Sequence, residues 1–237
     1  MGVRDRLQTR RRGRLKAVPL LPVLTDPTSA ARRFSGPPPA DSRQRVFRRS
    51  LTALAFLWGI AEACLFFVVP DVPVSLIALA RGWRAGLRAA VAAAAGAVVG
   101  GTALALFATW APETALAVVE RVPAISPAMI ARLQAMMAQA DSPAALVGTL
   151  ILASLTGIPY KIAAASAPGL GIPLWELALI TPLVRLPRFA SLAAAGAILR
   201  RLTPAMPGWM QPVRVRLMIA ALGWSAFYVN YWMHVGG

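Results

Sequence analysis

Five apolar stretches, 51–80, 89–110, 144–172, 174–199 and 214–233, constrain what this chain can fold into. A helix needs about 20 apolar residues to cross ~30 Å of hydrocarbon, and 89–110 and 214–233 read as plain spans of that length. The stretches 51–80 and 144–172 are too long for one straight crossing, since a helix of roughly 30 residues runs ~45 Å. Both also break near the middle, at VVPDVP (68–73) and at LTGIPYK (155–161). Proline removes a backbone donor, so each long stretch reads as two half-helices around a break, with Pro70 and Pro73 in the first and Gly157 and Pro159 in the second.

Composition agrees with an all-α integral membrane protein. The chain is 57% hydrophobic and 14% charged, where soluble domains carry about a quarter charged residues. Mean hydropathy is +0.60. Cys64 is the only cysteine and His234 the only histidine, which rules out an intramolecular disulfide. It also leaves no basis for a histidine triad, a zinc cluster or haem ligation. No cofactor, metal site or catalytic residue is therefore expected.

The net charge of +16 is concentrated at the start, where residues 1–49 carry thirteen Lys/Arg against three Asp. Nucleic-acid binding is one reading of that segment. A disordered cytoplasmic tail that touches anionic lipid and fixes topology is the preferred one, because no folded pattern surrounds the charge. TRRRGRLK (9–16) lacks the Phe of a twin-arginine signal and leads into a short, proline-broken apolar run, so no removable signal is read.

Positively charged loops favour the cytoplasmic side, and that rule separates two topologies. If 51–69 simply crossed, Arg81, Arg84 and Arg88 would lie outside while the basic tail lay inside. If 51–80 dips in and returns, those arginines stay cytoplasmic. Span 89–110 then goes out, a second hairpin over 144–172 opens from the opposite face, and 174–199 returns. This places Arg200, Arg201, Arg214 and Arg216 inside. The expected fold is an inverted repeat of two re-entrant helical hairpins, each followed by a transmembrane helix, plus a C-terminal transmembrane helix. Two ordinary spans with awkward prolines are the alternative. The expected organisation is a tail over 1–49, a membrane domain over 50–200, and a cytoplasmic loop with the last helix over 201–237. Segment 112–140 reads as two Pro-started helices at the outer interface, with Met129, Met136 and Met137 on an apolar face. Trp209, Trp224 and Trp232 read as interface anchors.

Glu62 and Asp71 are the only acids between Asp41 and Glu113. An ionisable residue inside a membrane segment is costly and points to a cavity or a partner. Asp71, beside Pro70, also reads as a cap for the second half-helix. The second half supplies cations: Lys161 at its break, and Arg185 and Arg188 midway along 174–199, three residues apart on one helix face. Together they outline a desolvated cationic pocket suited to phosphate, neutralised by the two acids when empty.

GIAEACLFFVVPDVPVSLIALA (59–80) and TGIPYKIAAASAPGLGIPLWELALITPLVRLPRF (156–189) resemble the DedA superfamily, the VTT or SNARE-associated Golgi protein domain, especially its YqaA-like branch. The resemblance implies opposed re-entrant hairpins and a role in moving lipids. Undecaprenyl phosphate and phospholipids are the implied cargo, with proton-motive force as the companion. It also implies that Glu62 and Asp71 match the acidic positions of the first hairpin, Lys161 the basic position after the second hairpin's proline, and Arg185 and Arg188 the basic pair that follows. The chain departs from the family where GIPYK replaces an arginine-rich motif, and where GGTALALF stands in place of an acidic and Tyr-Gly signature.

The functional expectation is a non-enzymatic, flippase-like protein of the bacterial inner membrane, with a cytoplasmic N-terminus. It would move an anionic lipid between leaflets, coupled to protons. Its partners are lipid headgroups and protons, not nucleic acid, and an oligomer is compatible with the sequence. Ion-coupled transport of a small solute and a purely structural membrane factor are the alternatives. An embedded phosphatase would need a base beside Ser154, Thr156, Tyr160 or Ser166, and no histidine is near them in sequence.

Overall fold

The computed structural model describes residues 40–64 and 70–235, and Gln44–Gly237 belongs to one compact unit. Residues 1–39, 65–69 and 236–237, and the side chains of 40–48, Trp232, His234 and Val235, lie outside the described residues. Among the described residues the chain is helical throughout, without strands.

The first apolar stretch forms α1 (Ala40–Cys64) and α2 (Asp71–Arg81). Helix α1 thus begins ten residues inside the segment expected to be a disordered tail. Pro70 stands immediately before α2, as a break residue should. Pro73 does not belong to the break. It lies in the first turn of α2, where backbone N–H groups have no intrahelical partner and proline costs little.

Helix α3 (Trp83–Trp110) follows α2 directly through Gly82, at φ 86°. It is rich in Ala and Gly, and two of its glycines pack closely on α1. A Cβ at Gly96 would collide with the carbonyl oxygen of Phe56, and one at Gly100 with that of Ile60. These contacts advance together, so α1 and α3 run parallel. Ala78 of α2 meets Gly86 near the start of α3, so α2 runs back against α3.

The segment 111–142 carries two short helices, α4 (Pro112–Glu120) and α5 (Pro127–Ala138). Proline opens both, where its missing N–H would be unsatisfied anyway. Ser126 caps α5 by accepting from the Met129 amide at 3.3 Å. Ile130, Leu133 and Met137 are buried, so the apolar face of α5 packs inward onto the core.

The second long stretch forms α6 (Pro143–Leu155) and the short α7 (Tyr160–Ser166). Gly157 adopts φ 91°, and the Ile158 amide returns to the Ala153 carbonyl at 2.9 Å. This is the helix-ending motif that glycine permits, followed two residues later by Pro159. Every residue of α7 is buried.

Helix α8 (Leu174–Arg201) runs antiparallel to α3: Ala193 lies by Gly86, while Tyr160 bridges Gly101 of α3 and Thr181 of α8. Gly196 lets the Ser75 carbonyl and Ala78 approach closely. Helix α9 (Val213–Val235) completes the chain. Two hydrophobic clusters result. One joins α1, α2, the first half of α3 and the C-terminal half of α8; the other joins the far half of α3, α4 to α7 and the start of α8.

Among the described residues, α3 and α8 are the helices long and apolar enough to cross a membrane. At 28 residues each, they run about 42 Å. Val91, Val99, Leu106, Leu179, Leu183 and Ile198 project outward from them. Their antiparallel arrangement gathers Arg81, Arg84, Arg88, Arg200 and Arg201 at one end. Trp110 and Trp175, 84% and 66% exposed, stand at the other. Helix α9 is not in the pair, because Trp224, Tyr228, Asn230 and Tyr231 lower its hydropathy.

Candidate functional site: two ion pairs on one helix

The site lies between the two hydrophobic clusters, where both helix breaks meet the middle of α8. Glu62 sits near the end of α1, Asp71 is the first residue of α2, and Lys161 lies in the first turn of α7. Pro182 and Pro187 lie inside α8 on either side of Arg185, so the carbonyls four residues before them lack their usual donors.

Arg185 Nη2 donates to Glu62 Oε2 at 2.5 Å, with both side chains almost fully buried. The guanidinium also faces two rings, with its carbon 4.8 Å from the Phe189 centroid and 5.6 Å from that of Tyr160. Ring faces attract a cation and replace part of its lost hydration. The Tyr160 hydroxyl is hydrogen-bonded to Thr181, whose own hydroxyl donates to the Leu177 carbonyl at 2.6 Å.

Arg188 forms the second pair. Its Nε and Nη2 both donate to Asp71 Oδ2, at 2.8 and 2.5 Å, and its Nη1 donates to the Ser154 carbonyl at the end of α6. One side chain therefore ties the start of α2 to the end of α6. Asp71 is 1% exposed while Arg188 is 21% exposed, so this pair opens toward a surface. The Asp71 carboxylate is spent on Arg188 and makes no side-chain cap on its own helix.

Glu62, Lys161, Arg185 and Arg188 line one small, partly open cavity of about 70 Å³. That is space for about two waters. Asp71 and Arg188 also line a groove of about 570 Å³, walled by Leu79, Leu155, Leu192, Leu199, Trp224 and Phe227. Arg188 and Phe227 belong to both spaces. A charged chamber thus adjoins a mainly apolar groove between α2, α8 and α9.

All five charged residues singled out from the sequence stand in this region, and Gly157 and Pro159 line the chamber with them. Formally, three cations face two carboxylates. Among the described residues, Glu62 Oε1, Asp71 Oδ1 and Arg185 Nε are buried without a hydrogen-bond partner. Buried polar atoms usually have one, so these are positions from which a ligand, a water or a proton would gain. No described group of three or more His, Cys, Asp or Glu could hold a metal ion.

Sequence reasoning missed the aromatic part of the site. Phe189 is one turn beyond Arg185, and Tyr160 precedes Lys161, so helical spacing could have indicated both. Nothing in sequence spacing indicates α9. Its Trp224 donates to Ser75 Oγ at 3.0 Å, and its Tyr231 donates to the Gly157 carbonyl at 3.3 Å. Trp224 is half-buried against α2 and lines the groove, whereas Trp209 is 65% exposed.

Comparison of the chain with protein-family models, with curated proteins and with solved structures finds no match.

Proposed function

We propose that this protein moves an anionic, phosphate-bearing lipid between leaflets, with the headgroup exchanging onto Arg188 and Arg185 as their carboxylate partners release them. The observation that carries this reading is the continuity at Arg188. One guanidinium belongs both to the charged chamber and to an apolar groove of about 570 Å³. A lipid needs both environments at once, a cationic site for its phosphate and an apolar wall for its chains. Arginine's planar fork suits phosphate oxygens, and exclusion of water strengthens the contact.

The two ion pairs support the same reading. A buried pair is no more stabilising than well-packed apolar residues of similar volume, so stability alone is weak grounds for keeping two of them. Glu62 and Asp71 act as resident anions that a lipid phosphate displaces, and in this reading the buried Glu62 is the acid that couples transport to protons. In membrane terms, we read α1–α2 and α6–α7 as two re-entrant hairpins entering from opposite faces, α3 and α8 as the spans that follow them, and α9 as a further span. The arginine end of α3 and α8 is cytoplasmic in a bacterial inner membrane. This is the DedA-like arrangement that the two quoted segments suggest.

The small volume of the chamber, about 70 Å³, is the observation that favours ion-coupled transport of a small solute instead. Reconstitution separates the readings. Purified protein in liposomes is given labelled undecaprenyl phosphate or labelled phospholipids, and leaflet exchange is followed with and without a pH gradient. Lipid transport predicts headgroup-selective exchange that Glu62→Gln and Arg185→Ala abolish. Full exchange in both variants would dismiss these sites, and no exchange by folded wild-type protein would dismiss lipid as cargo.

A further inference from the structure

The charged chamber has one wall that the ion pairs do not explain. Val122 and Pro123, in the turn between α4 and α5, line it together with the charged residues. Pro123 is also exposed, so its ring stands between the chamber and the exterior. Val122, Ala124 and Ile125 are buried, and Val122 and Ile125 belong to the hydrophobic cluster around α4 to α7. The Ile125 amide donates to the Val122 carbonyl at 3.2 Å, which closes a four-residue turn. Ala124 takes φ 65°, whereas the other described residues at positive φ are the glycines 82, 157 and 171. Proline at the second position of a turn and positive φ at the third define type II, which calls for glycine or asparagine at that third position. Alanine is strained there, because its Cβ crowds the following carbonyl oxygen.

We propose that the turn 122–125 is the outer gate of the chamber, closed in its type II form and opened by rotation of the Pro123–Ala124 peptide to type I. The two types differ chiefly in the orientation of that central peptide, and proline is favoured at the second position of both. Type I returns Ala124 to negative φ, the region an L-residue prefers. The local backbone therefore favours the open form, while the packing of Val122 and Ile125 favours the closed one. Strain held in place by surrounding structure recurs at switch regions, where it brings two states close in energy. A glycine at 124 would relax the closed turn and remove that balance. The inference rests on the chamber as the transport site and on the membrane reading that sets α4 and α5 at the outer end of α3.

Access to the chamber tests the gate without any cargo. In a Cys64→Ala background, Ile158→Cys puts a single thiol in the chamber wall. A membrane-impermeant, anionic methanethiosulfonate is added to right-side-out membrane vesicles carrying the full chain, and the labelling rate is followed. Ala124→Gly relaxes the closed turn and should slow labelling about fivefold, the equivalent of ~1 kcal/mol. Ile125→Ala removes packing that holds the turn closed and should speed labelling by about tenfold or more. Gly148→Ala, with open space around it on α6, should label at the parent rate. Ala124→Gly decides the matter if Ile125→Ala fails to fold. The parent rate in folded Ala124→Gly would show a static turn and overturn the proposal. Absence of outside labelling in both the parent and folded Ile125→Ala would overturn it as well. No lipid exchange is read, so a mistaken cargo and a failed gate are told apart.

Discussion

Removing one member of the Glu62–Arg185 pair should damage the protein more than removing both. In Glu62→Ala the Arg185 guanidinium stays 1% exposed, keeps only the faces of Tyr160 and Phe189, and already has an unpartnered Nε. An uncompensated buried charge of this kind costs ~3–5 kcal/mol. In a unit the size of Gln44–Gly237, each kcal/mol shifts the midpoint by about 2–4 °C, so the apparent Tm should fall by ~6–20 °C. Arg185→Ala should also destabilise, because Glu62 loses its hydrogen-bonded partner, although Lys161 in the same chamber makes the loss smaller than in Glu62→Ala. The double variant Glu62→Met/Arg185→Met replaces the pair with apolar volume and should recover most of the loss. It should nevertheless remain inactive in leaflet exchange. Thermal unfolding of each variant in one detergent, followed by tryptophan fluorescence, provides the comparison. Single variants that lower the apparent Tm by less than ~2 °C, or a double variant no more stable than either single, would refute the coupling described here.

Gly96→Ala drives a Cβ into the Phe56 carbonyl and should cost ~1–3 kcal/mol, while Gly148→Ala, with open space around it, should be neutral or slightly stabilising. Thermal unfolding of the pair of variants checks this. Gly157→Ala forces a side chain into φ 91° and should cost ~1–3 kcal/mol through strain alone, since its nearest new neighbour is Tyr231 Cε2 at 3.9 Å. Denaturation midpoints should show that loss, with the Tyr231 contact playing no part in it. Tyr160→Phe retains the ring over Arg185 and removes the hydroxyl from Thr181, for a loss of ~0.5–1.5 kcal/mol; Tyr160→Leu should lose more, because the cation then has a single aromatic partner.

The helical content and both chain breaks were legible because proline and glycine act locally. VVPDVP and LTGIPYK interrupt apolar runs; α2 starts within the first, and α6 ends and α7 starts within the second. Pro73 was misread because a proline in a first turn and a proline in a break look alike in sequence; the distinction depends on where the helix starts. The charged residues were visible because Glu62, Asp71, Arg185 and Arg188 stand out against apolar neighbours. Their pairing was not, since it depends on α8 running beside α2 in the same sense and reaching the end of α1. Helix α9 was the least legible part. Trp224 and Tyr231 carry the composition of an interface belt, and their hydrogen bonds to Ser75 and Gly157 are tertiary contacts without a periodic signature.

The most direct test of the central claim is leaflet exchange of one long-chain lipid carrying either a phosphate or a neutral headgroup, in liposomes with wild-type protein or Arg188→Gln. The account predicts exchange of the phosphate form alone by wild-type protein, and its loss in Arg188→Gln with the fold retained. Equal exchange of both headgroups, or undiminished exchange of the phosphate form by the variant, would contradict it.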